Sequence, residues 1–297
     1  MRIGVTGCTG FIGRELTRAA IRRGHDVVGY SRRSDVRVPG VESMRAYDLE
    51  GGIDVGELDA VVHLAGESVL GRWTRRKRER ILESRRQGTR AVVEALRRTS
   101  EGPKVLVSAS AIGIYGNRGD EVLTEQSPEG KGFLADVVRA WEAEAVSAID
   151  IGVRVASMRI GFVLGREGAS VALLRWLFSR GLGGRLGSGK QWMSWIHVAD
   201  VAGMFLSVLE NETVSGVSNV VAPGPVRNAA FTEVAGQVLG RPTVIPAPAG
   251  AIRLALGEAS SILLGSLRVV PKAAMELGYA FEYTDLGEAL AEALVSD

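Results

Sequence analysis

Cysteine is almost absent: Cys8 is the one thiol in 297 residues, so no disulfide can form within the chain. That composition suits a reducing compartment, and a cytoplasmic location is the expectation. Net charge is nearly absent too, at +2, so no global field draws the chain to nucleic acid or to an acidic membrane. No apolar run reaches the length of about 18 residues that a membrane span needs. Met1 to Thr6 lead straight into a strand pattern, without the separate apolar region and cleavage site of a signal peptide. No repeat, low-complexity segment or metal site stands out. What remains is an ordinary globular composition, 46% hydrophobic and 24% charged, long enough for a full core in one large domain or two.

Short apolar runs alternate with amphipathic stretches through the first 165 residues. Ile3 to Thr6, Asp26 to Tyr30, Ala60 to Ala65, Val105 to Ser108 and Val153 to Ile160 read as buried strands. Ile12 to Arg23, Thr74 to Arg98 and Phe133 to Ala148 read as helices. In the first helix Ile12, Leu16, Ala19 and Ala20 share a face while the arginines fall elsewhere, and Gly24 is a stop. This alternation predicts an α/β fold, a Rossmann-type doubly wound parallel sheet. After residue 165 Gly and Pro become dense, and helical pieces recur near 169–180, 199–210, 230–239 and 285–295. The expected organisation is a cofactor-binding domain over 1–165 and a smaller, mostly helical C-terminal lobe over 166–297. Parts of that lobe are free to return to the main sheet.

The first strand ends in Thr6-Gly7-Cys8-Thr9-Gly10-Phe11-Ile12-Gly13, a GxxGxxG turn opening a helix. Gly7 permits the tight turn, Gly10 admits a pyrophosphate, and Gly13 lets helix and strand pack closely. The free N–H groups of the helix start favour phosphate. Cys8 lies in this loop, where it reads as a small residue rather than a redox-active thiol. An NAD site usually ends the second strand with an acid that accepts from the ribose 2′-hydroxyl. Here the end reads Gly29-Tyr30-Ser31-Arg32-Arg33. Arginine suits a 2′-phosphate that a carboxylate would repel, so NADP(H) is the expected cofactor.

The glycine turn, Val62-His63-Leu64-Ala65-Gly66 and the Gly88-Thr89 pair resemble the extended short-chain dehydrogenases/reductases. Ser108 to Gly116, Arg139-Ala140-Trp141-Glu142 and Gly187 to Asp200 narrow the resemblance. They are similar to an atypical branch known as NAD-dependent epimerase/dehydratase, nucleoside-diphosphate-sugar epimerase or cell-division-inhibitor-like. The resemblance covers essentially the whole chain. It implies that Gly7, Thr9, Gly10, Phe11, Ile12 and Gly13 meet the pyrophosphate, and that Ser31, Arg32 and Arg33 meet the 2′-phosphate. It further implies Asp48 and Leu49 at adenine, Leu64, Ala65 and Gly66 at ribose, and Ser108 at the end of the strand that carries the reactive hydroxyl. Arg85, three residues before Gly88, falls where the family places a group near the nicotinamide end.

That family works with a Ser or Thr and a Tyr-x-x-x-Lys helix, in which tyrosine moves the proton and lysine lowers its pKa. The matching helix reads Phe133-Leu134-Ala135-Asp136-Val137-Val138, so both members of the pair are missing. Ser110, Ser108 and Tyr115 are the remaining candidates for catalysis, each with a packing or backbone-bonding role as its rival. His197, Asp136 and Glu142 read first as structural groups. Arg72 to Arg80 form a basic run that a solvated helix face explains better than nucleic acid does. Trp73, Lys190, Gln191, Trp192 and Trp195 are candidate substrate contacts, with core packing as the alternative for each tryptophan. The expected function is an NADP(H)-dependent oxidoreductase on an unknown carbonyl or hydroxyl compound. Alternatives are a cofactor-binding sensor with little turnover and a sugar-nucleotide epimerase with a replaced acid/base. A homodimer is left open.

Overall fold

A computed structural model describes residues 1–32, 35–47 and 53–295. Seven strands form the main sheet: β1 (Arg2–Thr6), β2 (Asp26–Ser31), β3 (Ser43–Ala46), β4 (Ala60–His63), β5 (Val105–Ala111), β6 (Arg154–Ile160) and β7 (Gly216–Val220). Their spatial order is β7-β6-β5-β4-β1-β2-β3, and every neighbouring pair is parallel. This is the doubly wound topology, with the order reversing between β1 and β4. In register, Thr6 at the end of β1 stands between Tyr30 and His63, and Ser108 stands between His63 and Ser157.

The helices are α1 (Phe11–Arg22), α2 (Arg75–Arg98), α3 (Phe133–Val146), α4 (Ala169–Ser179), α5 (Val198–Glu210), α6 (Asn228–Leu239), α7 (Ala249–Leu256), α8 (Ser261–Leu264), α9 (Lys272–Glu276) and α10 (Leu286–Leu294). Strand alternation assigns them to faces. Ile3, Val5, Val62 and Val107 pack with Leu16 and Ala20 of α1 and with Val201 and Phe205 of α5. Val28, Val61 and Leu106 point the other way, onto Val92 and Leu96 of α2 and Ala145 of α3. Burial on both faces is why these strands read as unbroken apolar runs.

Residues 198–220 therefore come back from the second half of the chain to cover α1 and to close the sheet with β7. The rest of that half has its own core, in which Val171 and Phe178 of α4, Phe231 of α6 and Leu290 of α10 surround Leu164 and Trp195. Two polar side chains fasten it to α5. His197 caps the helix by accepting from the Ala199 N–H, while its Nε2 lies 2.8 Å from Glu292. Asp200, 1% exposed, accepts from the backbone N–H groups of Glu282 and Tyr283 at 2.8 and 3.0 Å. The histidine and aspartate of the Trp-Ile-His-Val-Ala-Asp run are thus structural clamps. Among the described residues no helix is long and apolar enough to cross a membrane.

Candidate functional site

The glycine turn has the geometry its spacing foretells. Gly7 has φ +71°, a backbone state that strains any side chain, and a Cβ there would lie 3.0 Å from the Ala65 nitrogen. A Cβ at Gly13 would lie 2.2 Å from the Gly7 carbonyl, so α1 reaches the turn because that atom is missing. Gly10 differs: the Gly7 carbonyl, at 3.2 Å, is the one close atom a Cβ there would meet, so its outer side is open. Gly10 is the N-cap of α1, makes no side-chain capping bond, and no acid stands in the first turn. The N–H groups of Phe11, Ile12 and Gly13 therefore face no competing carboxylate from their own helix. Cys8 is fully buried against Tyr30, and burial pushes its thiol pKa up, the opposite of an activated thiol.

The loop after β4 is held from two sides. Thr6 Oγ1 accepts from the Leu64 and Ala65 N–H groups at 3.2 and 3.3 Å. Two residues on, Glu67 is gripped by α2. Its N–H donates to Ser84, its carbonyl accepts from Arg85 at 3.0 Å, and its carboxylate meets Lys77 at 2.6 Å and Arg80 at 3.5 Å. Lys77 first, then burial working against it, sets the Glu67 pKa below the usual carboxylate range. Arg85 sits with its guanidinium 3.5 Å from where a Gly66 Cβ would be and 5.0 Å above the Trp141 ring. Burial pulls its pKa down to about 10. Arg85 thus braces the Leu64–Glu67 loop, and part of the basic run serves the same purpose.

At the end of β2, Ser31 accepts from the Tyr47 N–H through its carbonyl at 3.0 Å, and Arg32 follows it exposed. Arg33, Asp48 and Leu49 lie outside the described residues. Among the described residues no acid occupies the β2 terminus; Arg32 is exposed, and its charge helps to lower the Glu67 pKa from across the loop after β4. The turn, the loop and the β2 end all lie on the C-terminal edge of the sheet, around the β1/β4 reversal. The donor set there, helix N–H groups plus arginine, fits a dinucleotide bearing a 2′-phosphate.

At the end of β5 the three candidate hydroxyls are spoken for. Ser108 is 1% exposed and donates to the Ala109 carbonyl. Ser110 donates to Glu142 of α3 at 2.5 Å. Glu142 is in turn bound at both oxygens by Arg159 of β6, at 2.8 Å each. Arg159 also donates to the Tyr115 hydroxyl at 3.0 Å, and Tyr115 donates to Asn219 of β7 at 2.7 Å. Asn219 continues the chain to the Val270 carbonyl through its amide and to Glu125 through its backbone N–H. An arginine inside an apolar strand was the available signal for this network, since a buried charge requires a partner. Spacing could not name that partner, because Glu142 and Asn219 are brought in by tertiary packing.

The slot that would hold the proton-transferring pair is apolar in space as in sequence. Val137 and Val138 are buried, Leu134 packs on Gly113, and the Phe133 ring meets Trp73 edge-on with Arg78 above it. Asp136 pairs with Arg139 on the surface.

Of the candidate substrate contacts, Trp195 is 1% exposed and donates to the Gly224 carbonyl, so it is core. Gln191 is buried and its amide donates to the Leu186 and Leu263 carbonyls. Trp73 is buried and donates to the Val69 carbonyl. Trp192 is half-buried, but Arg227 and Arg268 have their guanidinium carbons 4.3 and 4.4 Å from its ring centroid, and its N–H goes to Asp120. Lys190 is exposed and reaches no partner through its ammonium group among the described residues.

Fold and site together define a dinucleotide-binding protein of the extended short-chain dehydrogenase/reductase type. The NAD dependent epimerase/dehydratase family matches residues 3–221, and the chain belongs to it. Residues 247–293 match a domain of unknown function, DUF1731. The chain is 37% identical over its whole length to the epimerase family protein YfhF of Bacillus subtilis, covering 99% of it. It is 38% identical, over 98% of its own length and 86% of the relative's, to the chloroplastic SDR39U1 homolog of Arabidopsis thaliana. A crystal structure of the human epimerase family protein SDR39U1 with NADPH superposes with a TM-score of 0.90 at 33% identity, covering 99% of both chains.

Proposed function

We propose that this chain binds NADP(H) along the C-terminal edge of β2, β1, β4 and β5 and acts as an oxidoreductase on an unidentified carbonyl or hydroxyl compound without a Tyr-x-x-x-Lys pair. The carrying observation is the open, uncapped α1 N-terminus behind Gly7–Gly13, joined to a β2 end at which Arg32 is exposed and, among the described residues, no acid stands. Solution of the human SDR39U1 structure with NADPH supports the choice of cofactor. In this reading Gly7, Thr9, Gly10 and the N–H groups of Phe11, Ile12 and Gly13 receive the pyrophosphate. Arg32, with Ser31 and Arg33, receives the 2′-phosphate, and Leu64, Ala65 and Gly66 border the ribose while Arg85 holds them. Residues 166–297 supply most of the substrate side. When bound, the nicotinamide supplies or accepts a hydride.

Proton transfer is where this chain parts from its family's usual chemistry. Ser110 gives its proton to Glu142, Tyr115 gives its proton to Asn219, and burial pushes the Tyr115 pKa up despite Arg159 beside it. Ser108, Ser110 and Tyr115 hold the end of β5 in shape, and the proton that accompanies the hydride passes between substrate and solvent water. The same engagement favours a second reading, a cofactor-binding sensor with little turnover.

Calorimetric titration tests the cofactor: NADPH binds at least tenfold more tightly than NADH, about 1.4 kcal/mol, and replacing Arg32 and Arg33 together with alanine erases the difference. Equal affinities in the unaltered chain would sink the assignment. Hydride transfer in a panel of aldehydes, ketones and alcohols marks the oxidoreductase. Tight NADPH binding without turnover of these or of UDP-sugars marks the sensor.

A further inference from the structure

Arg85 of α2 carries a half-buried guanidinium whose hydrogen bonds all leave from one nitrogen. Nη1 donates to the Glu67 carbonyl at 3.0 Å and to the Ile81 carbonyl at 3.1 Å, which uses both its hydrogens. Nε and Nη2 donate to nothing among the described residues. Neither is sealed in, as the unpaired Nε of Arg86 one residue on is. Together they form the side-on edge of the guanidinium, whose two parallel N–H groups match a carboxylate. Arg2, Arg118 and Arg159 each spend that edge on one carboxylate, of Glu42, Glu121 and Glu142 in turn. In Arg85 it is unspent. Among the described residues no acid stands within ion-pair distance, for Glu67 gives its carboxylate to Lys77 and Arg80. Burial of the Arg85 charge is therefore offset only by Glu67 at a distance, which is why its pKa falls.

The place of this empty fork says which ligand it suits. Ile81 and Val137 pack in one cluster, and one turn further along both helices Arg85 lies over Trp141. The residue after Trp141 is Glu142, which holds Ser110 at the end of β5. The fork thus belongs to the β4–β5 side of the site, one turn from the valines that fill the lysine slot. The N–H groups proposed for the pyrophosphate follow β1, and Arg32 follows β2, so other elements serve both phosphate positions. Gly66 leaves the guanidinium uncovered from the loop side, since the three nearest atoms a Cβ there would meet are all its own, at 3.5, 3.6 and 3.7 Å. We infer that Arg85 binds a carboxylate carried by the substrate, so that the carbonyl or hydroxyl compound this chain takes is an acid. The two bonds from Nη1 hold the fork in place before any ligand arrives, and an ammonium group could not reproduce its two-pronged grip. The inference names the substrate class of the oxidoreductase proposed above and rests on that reading.

Calorimetry on the protein with and without saturating NADP⁺ compares pyruvate, acetoacetate, levulinate and phenylpyruvate with their methyl esters. These acids space carboxylate and carbonyl differently, and each ester keeps every contact except the charge. At least one acid is expected to bind the NADP⁺-saturated protein about ten- to hundredfold more tightly than its ester, the range of hydrogen bonds to a charged group. Arg85→Met removes that preference, and Arg85→Lys, which keeps the charge without the fork, retains part of it. A purely structural Arg85 would lower the melting temperature of the Arg85→Met variant and leave the acid-to-ester ratio alone, which would overturn the inference. No acid better than its ester in the unaltered protein would overturn it without any variant. Acids that bind the free protein but are displaced by NADP⁺ would give the fork to a cofactor phosphate, and so overturn it too. An acid preference lost in Arg85→Met but unaccompanied by hydride transfer would uphold the fork and sink the oxidoreductase reading in favour of the sensor.

Discussion

Arg159→Met cuts the network beneath Ser110 at its charged centre. The side chains of Arg159 and Glu142 are 7% and 12% exposed, and the guanidinium grips both carboxylate oxygens. Burial opposes the Arg159 charge, yet Glu142 outweighs it and holds the guanidinium above its ordinary pKa. Methionine fills similar space without charge, so Glu142 is left as a buried carboxylate with Ser110 as its one remaining donor among the described residues. Removing one partner of such a pair costs about 3–5 kcal/mol, because the other stays buried and unpaired. That is a large part of the ~5–15 kcal/mol that holds a domain together. For a chain of this size it lowers the melting temperature by about 5–8 °C. Removing both charges, as Arg159→Met with Glu142→Leu, abolishes the orphan and recovers most of the loss. Scanning calorimetry and urea denaturation of the two variants read the difference. A single variant within about 1 kcal/mol of the parent, or a double variant no better than the single, would show that the pair is not the desolvated bridge its geometry implies.

Gly10→Val places a branched side chain on the open side of the turn, and it abolishes NADPH binding while far-ultraviolet circular dichroism stays native. Normal binding by that variant would move the phosphate site elsewhere. His63 gives a pH dependence: burial first, and the Arg85 charge second, depress its pKa to about 4, against 6.5 when unfolded. Between those values the unfolded chain binds the extra proton, so stability is complete above about pH 6.5 and falls as pH drops towards 4. The loss is roughly 3 kcal/mol. His63→Gln flattens that limb of the stability–pH curve, and a limb unchanged in this variant would assign it to other groups.

How much of this a sequence can carry depends on how local the cause is. The glycine turn is legible because all three glycines act within one turn, on each other's backbone. The five strands between the two edges are legible because burial on two faces makes them largely apolar. β3 escaped notice because its four residues are half exposed, and β7 because Gly216-Val217-Ser218-Asn219 is not continuously apolar, Asn219 serving the Tyr115 network. The surroundings of the tryptophans were not legible for a related reason. Trp195 and Trp192 are aromatic and near lysine and glutamine in sequence, but their surroundings come from residues 224, 227 and 268. The absence of the proton-transferring pair was visible, whereas the engagement of Ser110 by Glu142 needed α3 in place.

The late position of β7 in the chain has a consequence during synthesis. Roughly 55 residues separate Ile160 at the end of β6 from Gly216, and at ~5–20 residues per second they take about 3–10 s to emerge. Throughout that interval β6 is an open edge, its hydrogen-bonding groups ready to pair with any passing strand. The apolar face of α1, complete at Arg22, waits longer still for α5, which begins at Val198. The nascent chain is therefore most vulnerable to aggregation after its phosphate loop has formed and before its sheet is closed, and a holdase acting on it has that window in which to bind.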